Sequence, residues 1–69
     1  MYKEIQKEKL IDLLKEQDIN YEIKVRNKKD KMLKYHHSDI DEIDIDDVKS
    51  VEFFIKTDYG LHLALVKVV

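Results

Sequence analysis

The sequence predicts an α+β fold: a single N-terminal amphipathic helix packed on a four-stranded antiparallel β-sheet, in the order α-β-β-β-β. Three observations carry this. Apolar residues recur at helical spacing from Tyr2 to Gln17, they alternate with polar ones from Ile19 to Arg26, and two further apolar runs flank the only glycine, Gly60. With 69 residues the chain has room for one domain, spanning residues 1–69, around one small core.

In the helix, Tyr2, Ile5, Leu10, Leu13 and Leu14 fall on one side. Glu4, Glu8, Asp12 and Glu16 set like charges four residues apart, so the helix depends on its apolar face rather than on surface pairs. Next, Ile19, Tyr21, Ile23 and Val25 alternate with Asn20, Glu22, Lys24 and Arg26, which predicts a strand with one buried and one wet face. Asn27 to Lys31 reads as a basic connection and Met32 to Ser38 as a second strand. The isoleucines of Asp39–Asp47 fit neither the helical nor the strand period, which predicts a loop with an irregular strand, isoleucines inward and carboxylates outward.

The C-terminal hairpin pairs Ser50–Thr57 with Leu61–Val69 across a three-residue connection, Asp58-Tyr59-Gly60. Pairing Thr57 with Leu61 puts Val51, Phe53, Ile55, Leu63 and Leu65 on the core face. It leaves Phe54, Ala64, Val66 and Val68 on a second face that one helix cannot also cover. Phe54 and Val66 are therefore candidates for contact with a partner or for a homodimer.

Cysteine is absent, so neither a disulfide nor a zinc site is expected, and stability falls to packing or oligomerisation. The first residues lack the pattern of a signal peptide and no run reaches the ~20 apolar residues of a membrane span. The expected location is cytoplasmic, with no membrane partner and no cofactor.

Catalysis finds little support. Ser38, Ser50, Thr57, His36, His37 and His62 lie in no nucleophile motif, which points to a non-enzymatic protein. His36 and His37, as neighbours on a strand, would face opposite sides and share no metal. The acidic run lacks the glycine and distal glutamate of a calcium loop.

Charge segregation is the stronger signal. Asp39, Asp41, Glu42, Asp44, Asp46 and Asp47 form a base-free block, while Lys24, Arg26, Lys28, Lys29, Lys31 and Lys34 are opposed only by Asp30. The net charge of −2 disfavours indiscriminate binding to phosphate backbones by the whole molecule. Carboxylates held on a rigid scaffold can imitate a nucleic-acid phosphate track and compete for a basic groove on another protein. The expected function is a protein-binding module, an inhibitor of a host nucleic-acid-handling protein of the kind that phages and mobile elements carry. The alternatives are a nucleic-acid-binding regulator using the Lys24–Lys34 strip and a structural homo-oligomer built through the second sheet face.

Overall fold

In the computed structural model, which describes residues 1–69, the chain forms β1 (Tyr2–Ile5), a 3-10 turn (Lys7–Lys9), α1 (Leu10–Glu16), β2 (Ile19–Asn27) and β3 (Met32–Tyr35). Two further 3-10 segments follow, His37–Glu42 and Ile45–Asp47, and then β4 (Val48–Thr57) and β5 (Gly60–Val68). The five strands make one sheet in the order β1-β5-β4-β2-β3, with β1 parallel to β5 and every other pair antiparallel. The α+β class agrees with the sequence reading, whereas the sheet has five strands rather than four and is mixed rather than antiparallel. No helix is long and apolar enough to cross a membrane.

The extra strand comes from the front of the predicted helix. Tyr2 and Ile5, three residues apart, suit either a helix or a strand whose last residue turns inward. Two physical terms favour the strand. Extending α1 back to Tyr2 would add Glu4 to the run of like charges, and the outer edge of β5 would lose its partner. Instead Tyr2–Ile5 pairs with Leu65–Val68, the Leu65 N–H donates to the Met1 carbonyl at 2.8 Å, and Ile5 enters the core. Gln6 is extended, at φ −79° and ψ 147°, and separates the strand from the helical segment.

The core lies between the inner sheet face and a layer made by α1 and the 3-10 segments. Leu10 and Leu14 come from α1, Ile40 and Ile43 from the acidic stretch, and Ile23, Val25, Val51, Phe53, Ala64 and Val66 from the sheet. Each fully buried leucine contributes roughly 1.5–3 kcal/mol relative to exposure. Nothing covers the opposite sheet face.

Two local features redirect side chains. Between Asn20 and Lys24 the register of β2 against β4 slips: four steps along β2 span the two steps from Phe54 to Glu52. Tyr21 takes a positive φ of 67° in this bulge and is exposed, not inward as the alternation predicts. Its ring meets Phe54 edge-on at a centroid distance of 6.4 Å.

The second feature is the hairpin. Thr57 pairs with Gly60, not with Leu61, so the connection is the two residues Asp58 and Tyr59. Gly60 opens β5 at φ 111°, and Thr57 Oγ1 braces the turn by accepting from the Tyr59 N–H at 3.2 Å and donating to the Gly60 carbonyl at 2.9 Å. A slip of one residue turns every side chain of β5 over. Phe53 therefore faces Ala64, Val51 faces Val66, and Leu63 stands beside Phe54. Ala64 and Val66 are fully buried, so the expected partner-facing role of Val66 is overturned, and Leu63 leaves the core. Phe53 is inward and Phe54 outward, as expected.

Because the Phe53 ring is enclosed and Phe54 is not, the Phe53→Ala variant should lose about 3–5 kcal/mol, enough to unfold much of a domain this small. Phe54→Ala should lose about 1 kcal/mol or less. Urea and thermal melts of dilute, monomeric protein compare the two directly, and a larger loss at Phe54 there would place that ring in the core.

Candidate functional site

Two surfaces can meet a partner, one on each side of the sheet. The acidic stretch is shaped by its isoleucines. Burial of Ile40 and Ile43 beneath α1, with Ile45 half-buried, draws the backbone into short 3-10 turns and leaves the intervening residues facing water. Asp41, Glu42, Asp44 and Asp46 are exposed, while Asp39 and Asp47 are half-buried.

Several of these carboxylates also hold the structure together. Asp41 pairs with Lys15 of α1 at 2.9 Å and Asp46 with Lys7. Asp44 accepts a hydrogen bond from the Asp46 N–H at 3.1 Å, capping the second 3-10 turn. Asp47 accepts from the Lys28 N–H at 3.3 Å, tying the acidic stretch to the basic turn after β2. Glu42 and Asp39 make no such contact. Pairing does not hide the anions: the side chains of Asp41 and Asp46 are 74% and 72% exposed.

The basic strip is divided by the fold. Lys28, Lys29 and Lys31 lie in and beside a turn that Asn27 organises, its Oδ1 accepting from the Lys29 and Lys31 N–H groups at 2.9 Å each. Lys24, Arg26 and Lys34 stand instead on the uncovered sheet face, with Lys24 directly across from Lys34. On that face the cross-strand rows are regular. Glu4, Lys67, Ser50, Arg26 and Met32 share one row; Tyr2, Leu65, Glu52, Lys24 and Lys34 share the next; Leu63, Phe54 and Asn20 the third. Phe54 thus lies among exposed apolar neighbours as expected, but they are Leu63, Leu61 and Tyr21, with Tyr2 farther along the same face on β1, rather than Ala64, Val66 and Val68.

Sequence reasoning missed those four residues. One signal was present: a bulky Phe53 packs more readily across from a small Ala64 than across from Leu65, and that preference selects the observed register.

The histidines differ from expectation in placement. Past the end of β3 the rings of His36 and His37 stack at 4.4 Å with a 35° tilt, and His36 Nδ1 accepts from the Ser38 N–H at 3.2 Å. No set of three His, Asp or Glu side chains converges in a metal-binding arrangement. The groove beside α1 is lined by charges of both signs, Lys3, Glu4, Lys9, Asp12 and Glu16.

Electrostatics at the acidic stretch follow from its contacts. A hydrogen bond from the Lys7 ammonium, reinforced by its charge, holds the Asp46 carboxyl below the ordinary carboxylate range and raises Lys7 in return. Lys49 acts on Asp30 in the same way. A carboxyl whose pKa is lower in the folded state contributes stability above its unfolded value and loses it as pH falls through the folded value. Asp46→Asn should therefore lower the melting temperature at neutral pH, with the gap from the parent protein closing below about pH 4. Circular-dichroism melts between pH 7 and pH 2 test this; a gap unchanged across the range would show that the Lys7–Asp46 pair contributes nothing.

No protein family, curated protein or solved structure matches this chain.

Proposed function

We propose that this chain is a non-enzymatic protein-binding module that presents an acidic surface to a basic groove, acting as an inhibitor or modulator of a nucleic-acid-handling protein. The observation that carries the reading is the separation of charge across the sheet. Residues 7–16 and 37–47, which supply α1 and most of the layer packed on the inner face, hold nine carboxylates against Lys7, Lys9 and Lys15, a net charge of −6. The whole chain carries −2, so the remaining residues carry +4.

Three features suit this layer to recognition. Its buried isoleucines anchor the 3-10 turns, so the carboxylates are presented without a further ordering cost on binding. Its ion pairs are exposed and screened by water, so a partner arginine can displace Lys7 or Lys15 at little loss. The field of a one-signed layer steers a basic partner and raises the association rate.

The test replaces carboxylates that do not cap the backbone. Asp39→Asn, Asp41→Asn and Glu42→Gln in one variant should leave the circular-dichroism spectrum intact. A basic partner captured by the parent protein at low salt should bind this variant about tenfold more slowly, with a shallower salt dependence, and double-stranded DNA should compete with the parent protein for it. Unchanged association and unchanged salt dependence would leave the acidic layer as a solubilising surface.

A further inference from the structure

The uncovered sheet face carries information of its own, independent of the acidic layer. Five large side chains are exposed there: Tyr2 (61%), Tyr21 (66%), Phe54 (39%), Leu61 (43%) and Leu63 (52%). At roughly 200 Å² of full surface for a side chain of this size, they expose on the order of 500 Å² of largely apolar area. That is the upper end of what a monomer ordinarily shows, and with its charged rim it approaches the ~800 Å² per partner of a standard interface.

We propose that this face is the interface of a homodimer, two sheets packed face to face about a two-fold axis that runs along the strands between β4 and β5. The strand order and register make the face complementary to itself under that operation. Across the axis β5 lies over β4 of the second copy, and β1 lies over β2. Because Glu4 and Arg26 share a row, Glu4 comes to Arg26 of the second copy, and by symmetry the reverse pair also forms. Tyr2 and Lys24 share the next row, so the ring meets an ammonium, a cation–π contact. Leu63 and Phe54 share the third, giving an apolar centre.

Two aligned sheets with their native twist pack at about 30° and ~10 Å apart, which suits side chains of this size. Glu52, half-buried near the centre, keeps Lys24 of its own sheet as a neighbour. The two acidic layers then point away from each other on the outer sides of the dimer, where their mutual repulsion is least.

Sedimentation velocity from about 1 to 200 µM, at about 0.15 M and 0.5 M salt, reads the proposal directly. The 8.3 kDa chain should shift to twice that mass with rising concentration and remain dimeric at the higher salt. Leu63→Glu should weaken association by at least about tenfold while leaving the circular-dichroism spectrum unchanged. The geometry of the axis has its own check. Glu4→Arg and Arg26→Glu should each weaken the dimer, and the double variant should recover it, an outcome that loss of folding cannot imitate. A parent protein that stays monomeric at the highest concentration overturns the proposal, as does a double variant no tighter than the singles. The same holds if the monomeric protein retards single-stranded DNA at low salt and Leu63→Glu abolishes it, which would assign this face to nucleic acid.

Discussion

The register of the β4–β5 hairpin is the constraint on which the rest of this structure depends. With Thr57 across from Gly60, Phe53 packs beside Ala64 and Val51 beside Val66, and the inner face becomes a continuous apolar surface for α1. A register one residue away would put Leu63 and Leu65 inside with Phe53 and turn Ala64 and Val66 out. Both arrangements bury apolar groups, because β5 is apolar at nearly every position from Leu61 to Val69. Packing volume and turn chemistry decide between them. Ala64 leaves room for the Phe53 ring, and glycine at the first position of β5 accepts the positive φ that lets the chain reverse over only Asp58 and Tyr59.

The legible part of the sequence follows from the same physics. Ile23 and Val25 alternate without competition and lie inward; Phe53 and Phe54 divide between the faces as their neighbours require; the isoleucines of the acidic stretch go in and its carboxylates out. What could not be read locally depended on distant partners. Nothing near Tyr2 announces that β5 has a free edge, and a residue pair three apart suits a helix as well as a strand end. The bulge that turns Tyr21 outward arises in the pairing of β2 with β4, so the alternation in β2 alone pointed the wrong way. Of the candidate site residues, the six carboxylates and Phe54 are at or near the surface, and Val66 is not, for the single reason that β5 is shifted by one.

The acidic stretch shows how one set of residues serves structure while remaining available at the surface. Asp44 and Asp47 accept backbone hydrogen bonds, and Asp41 and Asp46 tie the stretch to Lys15 and Lys7. Stability here rests on Ile40 and Ile43, since exposed ion pairs add little. The isoleucines hold the 3-10 turns in place, and the pairs with Lys7 of the first 3-10 turn and Lys15 of α1 orient individual carboxylates on them. In the proposed function such positioning would matter for recognition more than for folding, because an anion already in place loses less entropy on contact with a basic partner.

Size links the two faces. A domain of 69 residues buries a modest share of its surface, and only 13 of its residues are buried here, so the inner face has little stability to spare. An apolar outer face on such a domain is a liability in the monomer, exposing it to aggregation, and a gain when covered. Covering it with a second copy would join two small cores through an apolar layer and make stability depend on concentration. It would also leave the acidic layers on the outer sides of the pair, within reach of other proteins. Charge separation across the sheet thus has a physical logic in assembly. Like charges gathered on the inner-face layer are kept far from the contact that the outer face is suited to make, and at that contact Arg26 and Lys24 would meet Glu4 and Tyr2 of the second copy rather than each other.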